Sequence, residues 1–203
     1  MKKVRVAVLC SGGGTNLQAI LDSAAAGNIP SGEIALVVTD NASAFALERA
    51  RRAGVGTVVV DKKQYPDRKE REKRILAALE KHKIGLVVLA GFMTILSEAF
   101  TKKYDMRMIN VHPSLIPSFC GPGFYGLKVH EAALARGVKV TGATVHYVNE
   151  VCDGGPIIAQ KAVCVEEGDT PEILQKRVMR EAEWIILPRA VETVCKTLSE
   201  REN

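Results

Sequence analysis

The feature that most constrains the fold is an alternation of two periods along the first half of the chain. Short apolar runs rich in β-branched residues are separated by stretches whose apolar residues recur at helical spacing. Residues 4–10 (VRVAVLC), 34–39 (IALVVT), 56–60, 84–90 (IGLVVLA) and 106–111 read as strands. Between them, Leu17, Ile20, Leu21 and Ala24 share one helical face, and 44–53, 67–81 and a short segment after Ser97 read as helices. Strands this uniformly apolar are covered on both faces. The order βαβαβαβαβ therefore predicts an α/β fold, a Rossmann-like open and mostly parallel sheet with helices on both faces. Residues 138–148 and 156–165 flank the polar turn 149–155 (NEVCDGG) and predict a C-terminal antiparallel hairpin. Asp169-Thr170-Pro171-Glu172 is a helix start with Thr170 as N-cap and Pro171 in the first turn. That helix is expected to run to about Trp184 and to kink before Pro188. The 203 residues, 47% hydrophobic, suit one domain over 1–203, with a phosphate-binding half (1–105) and a catalytic half (106–203).

Composition narrows the function. The net charge is +5, yet no Lys/Arg stripe interleaves with aromatics, so nucleic acid is not expected as a partner. A mild positive bias suits a small anion. No apolar run approaches the ~20 residues of a membrane span. Five cysteines, an odd number with no C-x-x-C pair, argue against a metal site or a disulfide framework and for a reducing, cytoplasmic setting. Monomer and homodimer both stay open.

Three places could carry chemistry. The first is the turn Gly12-Gly13-Gly14-Thr15-Asn16, between a strand and a helix, where free N–H groups and the helix dipole make an anion site. It is neither G-x-G-x-x-G nor a P-loop, and a monophosphate suits it better than a pyrophosphate. A dinucleotide reading would rest on Asp40, beyond the next strand. The second is Asn110 with His112, two residues apart and so on one face of a strand that Pro113 must end. The third is Asp153, before two glycines and a proline. If the hairpin folds over the sheet's C-terminal edge, Asp153 meets His112. A carboxylate orients an imidazole and favours its charged form, and an Asn amide can donate to a developing oxyanion. The trio suits acyl transfer to an amine with no covalent enzyme intermediate.

These residues also carry a resemblance. S-G-x-G-x-N-L from Ser11, A-G-F-M-x-I-L from Ala90, N-x-H-P-S-L-I-P-S-F from Asn110, G-x-T-V-H ending at His146 and D-G-G-P-I-I from Asp153 resemble the phosphoribosylglycinamide formyltransferase family of purine biosynthesis. The resemblance implies 10-formyltetrahydrofolate as formyl donor, glycinamide ribonucleotide as acceptor, and no metal. It implies Asn110, His112 and Asp153 as the catalytic trio, and Gly14, Thr15 and Asn16 on the ribonucleotide phosphate, with Glu183 on the ribose hydroxyls. Arg68, Met93, Thr94, Ile95 and Leu96 would line the folate site, and the backbone of Glu150, Val151 and Cys152 would take the pterin. His130, Thr144 and His146 match positions that support the pocket. Gly13 stands where some members carry Asn, Thr94 where a basic residue is common, and Trp184 where a His follows the glutamate; the spacing from Asp169 to Glu183 is one residue long. Cys120 and Cys152 flank the pocket as bystanders. A tRNA-directed relative would need a second C-terminal domain, for which the fifteen residues after Pro188 leave no room, and a deformylase relative an added N-terminal one.

Overall fold

The computed structural model describes residues 3–201, so the ends of the expected 1–203 span lie outside the described residues. Seven strands form one sheet in the order β3-β2-β1-β4-β5-β6-β7. They are β1 (Val4–Leu9), β2 (Gly32–Thr39), β3 (Gly56–Val59), β4 (Leu86–Leu89), β5 (Met108–His112), β6 (Val140–Tyr147) and β7 (Ile157–Cys164). The first five run parallel, and β6 and β7 are antiparallel to their neighbours. The helices are α1 (Thr15–Ala25), α2 (Ala46–Arg52), α3 (Arg68–Lys81), α4 (Glu98–Lys103), α5 (Leu127–Arg136), α6 (Pro171–Val178) and α7 (Trp184–Arg201). None of the described helices is long and apolar enough to cross a membrane.

The period-2 alternation within β1 divides the core. Val4, Val6 and Val8 pack with Leu17 and Ile20 of α1 and with α6 and α7, while Ala7 and Leu9 pack with Ile75 and Leu79 of α3 and Phe100 of α4. Both faces are thus covered, as a parallel sheet requires. Local chemistry starts three of the helices. Asp67, Ser97 and Thr170 are N-caps whose side chains accept from the N–H groups of Glu70, Phe100 and Ile173, each such cap being worth ~1 kcal/mol.

Strand order reverses between β1 and β4, and ligands of open α/β sheets bind beyond the carboxyl ends of the strands at such a point. Here two bonds bridge it: Ser11 N–H donates to the Gly91 carbonyl at 3.0 Å, and Met93 N–H donates to Ser11 Oγ at 2.9 Å.

The structure corrects several expected boundaries. β5 starts at Met108, not at 106, because Met106 adopts φ 51°, outside extended geometry, and it runs on through His112. α2 is shorter than 44–53. The expected continuous helix to Trp184 is instead α6, a five-residue π-helical segment over Met179–Glu183, and then α7. A wider π turn absorbs an extra residue while the helix beyond it keeps its facing, which accommodates the long Asp169–Glu183 spacing. Pro188 lies inside α7 and does not break it. Being the fifth residue of that helix, it forfeits only the bond to the first residue's carbonyl.

Candidate functional site

Asn110 and His112 lie on the last turns of the pleat of β5, which pairs with β4 through Leu89↔Asn110 and with β6 through Asn110↔His146 and His112↔Thr144. The hairpin carries Asp153 back over this edge. Asp153 Oδ2 lies 3.5 Å from His112 Nδ1, and its Oδ1 lies 3.6 Å from His146 Nε2. Gly121 N–H donates to Asp153 Oδ2 at 2.9 Å, tying the 118–126 loop to the same carboxylate. Asp153 has φ 55°, a conformation Asp and Asn tolerate better than most residues. The turn closes because Gly155 approaches Tyr147 so closely that a Cβ would stand 1.8 Å from its carbonyl oxygen.

The electrostatics follow from these contacts. Burial alone would raise the Asp153 carboxyl, but the His146 and His112 imidazoles and the Gly121 N–H outweigh it and hold it at about 2. His112 Nε2 is 2.8 Å from the Phe119 carbonyl. That carbonyl can only accept, so the proton is assigned to Nε2 and Nδ1 faces the carboxylate. His146 Nδ1 is 2.8 Å from the Tyr147 carbonyl, which assigns its proton to Nδ1. Its Nε2 lies 3.2 Å from Asn110 Nδ2 and faces the Asp153 carboxylate. This leaves the amide's second N–H and its carbonyl to the cavities that Asn110 lines.

Two cavities meet at Asn110 and Asp153. One, about 170 Å³, is walled by residues 92–96, His146 and the 149–153 turn. The other, about 500 Å³, is walled by Gly91, Met93, His112 and the 121–126 loop. Together they are large enough for a drug-sized ligand. Met93, Ile95 and Val151 expose apolar side chains at their rims. Arg68 opens α3 and stands 3.8 Å from Glu72. Thr94 is turned inward, its hydroxyl donating to Asp40 Oδ2 at 2.7 Å. Asp40 is therefore buried and engaged, which removes the one acidic group on which a dinucleotide reading would rest. The thiols of Cys120 and Cys152 are both raised, by burial first and by Asp153 next.

The glycine turn lies apart from this cluster. Gly14 is the N-cap of α1 with φ 69°, and a Cβ there would meet Ala46 Cβ at 2.8 Å. Gly12 and Gly13 have open space instead. No side chain caps α1, and no acid sits in its first turn. Arg49 lies over the turn, donating through Nε to the Gly13 carbonyl at 2.8 Å. Thr15 borders a separate cavity with Arg49 and Trp184. Asn16 points inward, and its Nδ2 donates to Glu183 Oε2 at 2.6 Å across 167 positions of sequence.

Burial pushes the Glu183 carboxyl up to about 7, against the opposing Asn16 bond. A raised carboxyl costs nothing below its unfolded value near 4.5, and the cost is complete above about 7. Glu183→Gln is therefore expected to stabilise the protein by ~1–3 kcal/mol at pH 8 and not at pH 4. Urea unfolding at the two pH values checks this, and an equal difference at both would contradict it.

Thr144 and His130 line neither of the two cavities. Thr144 Oγ1 donates to the Ser114 carbonyl at 2.7 Å and accepts from Ile116 N–H at 3.0 Å, which pins the segment after His112. Gln160 Nε2 also donates to Thr144 Oγ1 at 3.0 Å, and these partners, like the backbone groups of Phe119 and Gly121, are ones that no side-chain pattern in the sequence signals. His130 is fully buried on α5, with neither ring nitrogen partnered among the described residues. Burial first, then the charge of His112, depress it to about 4, so it is a neutral ring. The unfolded chain protonates it near 6.5 while the folded one resists, so a penalty grows as pH falls from 6.5 to 4. His130→Leu should remove it. The variant is expected to gain about 2 kcal/mol on the wild type between pH 7 and pH 4.5, read by chemical denaturation.

Known proteins resemble this chain over nearly its whole length. A family model described as formyl transferase matches residues 4–191. The human trifunctional purine biosynthetic protein adenosine-3 is 47% identical over 193 residues, 95% of this chain but 18% of that protein. The chain thus spans 13–18% of the length of the trifunctional relatives it matches. The phosphoribosylglycinamide formyltransferase of Escherichia coli is 38% identical over 93% of this chain and 85% of its own length. The crystal structure of glycinamide ribonucleotide transformylase 1 from Symbiobacterium toebii superposes with a TM-score of 0.89 at 43% identity, covering 96% of this chain and 89% of that one. With a match that runs through the glycine turn, both cavities and the aspartate turn, the chain belongs to the formyl transferase family.

Proposed function

We propose that this chain transfers the formyl group of 10-formyltetrahydrofolate to the amine of glycinamide ribonucleotide, the acceptor held by its phosphate at Gly14, Thr15 and Asn16. One observation carries this reading: an amide, an imidazole and a carboxylate from separate elements converge where the two cavities meet. The amine attacks the formyl carbon and a C–N bond forms. The carbonyl oxygen takes the electron pair, and the intermediate collapses by expelling N10 of the folate. One proton leaves the amine and one reaches N10. Asn110 Nδ2 and His112 Nε2 donate to the oxyanion, which takes the place the Phe119 carbonyl now holds on His112. Such donors are worth ~10²–10³-fold in turnover each. Asp153 stays ionised and sustains the imidazolium. Holding both substrates side by side supplies much of the remaining rate.

The α1 N-terminus, uncapped by any side chain and overlain by Arg49, supports the phosphate role. Glu183 lies beneath that turn and supports the ribose role through Asn16. The donor ring would lie among Met93, Ile95, Leu96 and the 150–152 turn, with Arg68 toward its acidic tail. Thr94, engaged by Asp40, would contribute backbone alone. Five free thiols suit a reducing cytosol, and one sheet spanning both halves suits a single 1–203 domain. Incubation with 10-formyl-5,8-dideazafolate and glycinamide ribonucleotide tests the function. Deformylation, followed by absorbance, is expected only when the ribonucleotide is present; deformylation without it would make the chain a hydrolase instead.

A further inference from the structure

The loop of residues 91–97, between β4 and α4, is held in an atypical way. Two of its four large apolar side chains, Met93 and Ile95, are 51% and 67% exposed at the cavity rim, while Phe92 and Leu96 pack against the core. Side chains from three distant elements hold its polar groups as well. Met93 N–H donates to Ser11, the Thr94 hydroxyl donates to Asp40, and Ser97 donates twice to Glu72, through its N–H at 2.7 Å and through its hydroxyl. Two of these three anchors are carboxylates, 1% and 7% exposed.

Glu72 is the more telling of the two. It sits on the face of α3 that also buries Ile75 and Leu79, three and seven residues on. An apolar residue would serve that core better, because a buried charge costs free energy unless fully satisfied. Its two oxygens accept two bonds from Ser97, and Arg68 Nε, one helical turn back, stands 3.8 Å away as an ion-pair partner. Residues 93–96 line the cavity, and the carboxylate that holds Ser97 also pairs with Arg68, which the proposed function places toward the donor's acidic tail.

We propose that Glu72 is a positioning residue for the formyl donor: it fixes the 93–97 backbone and the Arg68 guanidinium relative to each other, so that a flat, acid-tailed donor meets a preformed slot. This inference rests on the donor reading of the cavity given above. A residue that only capped α4 through Ser97 would affect stability and nothing else.

Glu72→Gln, which keeps the volume and one acceptor but removes the charge, is the first test. The KM for the formyl donor is expected to rise about tenfold, as befits loss of charge-assisted bonds, with the ribonucleotide KM within about twofold and kcat within about threefold. Ser97→Ala, a milder change, should raise the donor KM about threefold. Arg68→Ala should raise it too, and the Arg68–Glu72 double variant should fall short of the product of the single effects. Amide hydrogen exchange over 93–97 should quicken at least about tenfold in Glu72→Gln without any substrate present. A lowered melting temperature with unchanged donor KM, an equal rise in both KM values, or unchanged loop exchange would each overturn the proposal. If the wild type itself fails to bind 10-formyl-5,8-dideazafolate, the donor reading falls, and the exchange measurement still decides whether Glu72 holds the loop.

Discussion

Asp153→Asn is expected to remove activity almost entirely, by roughly 10³-fold or more in kcat, while the chain stays folded. The substitution keeps the shape, and Asn accepts the positive φ of this position. The Gly121 N–H can still donate to the amide oxygen. The loss is of the one negative charge facing both His112 and His146. Without it, the buried His112 ring loses the counter-charge that the proposed mechanism requires. The same substitution has a thermodynamic signature. The folded carboxyl, held at about 2, lies below its unfolded value near 3.8. A depressed carboxyl contributes stability that is present above the unfolded value and lost as pH falls through the folded one. The variant should thus be ~1–2 kcal/mol less stable than the wild type above pH 5, and the gap should close by about pH 2. Kinetics at saturating substrates and urea unfolding across pH 2–7 check both halves. An active variant would reduce Asp153 to a turn residue.

The parallel half of the fold was legible because it is written in local terms. Short apolar runs rich in β-branched residues, such as 4–9 and 86–89, read as doubly covered strands, and Asp67, Ser97 and Thr170 mark helix starts by their own side chains. The π-helical segment at Met179–Glu183 was not legible. No residue in it prefers that geometry, and it is set by packing against β6, β7 and the flanking helices. Met106, bent to positive φ before β5, is a similar case, since a methionine carries no sign of that conformation.

The site divides along the same line. Asn110 and His112 share a strand face by the period of two, so their neighbourhood follows from sequence. Asp153 reaches them only through the hairpin, which the short polar turn foretold, and Gly155 proves to be the residue that lets it close. The Asn16–Glu183 bond joins opposite ends of the chain, and nothing local in either residue announces it. The backbone partners of His112 and Asp153, at Phe119 and Gly121, are invisible for a deeper reason: every residue has a carbonyl and nearly every one an N–H. The family resemblance supplied positions for Arg68 and Thr94, but not that Glu72 and Asp40 occupy their side chains.

Asn110→Ala and His112→Ala should each lose at least ~10²-fold in turnover while both KM values stay close to wild type. The reason is where their hydrogen bonds are made. A donor used only as the carbonyl oxygen becomes charged stabilises the transition state and not the bound substrates, so its loss falls on kcat. In the proposed mechanism Asn110 is held ready for this, because β5 pairs on both sides of it and its amide contacts His146 Nε2. Asn110→Asp makes a sharper test than alanine. It keeps the volume, removes both N–H donors, and places a second carboxylate beside Asp153, so its loss should equal or exceed that of Asn110→Ala. His112→Ala also frees the Phe119 carbonyl, and its melting temperature should be measured beside its rate to separate loosening of the loop from loss of the donor. A shift confined to KM in these variants would mean that the two side chains bind substrates and leave the oxyanion to other groups, and turnover at the wild-type level in either would remove that residue from the chemistry.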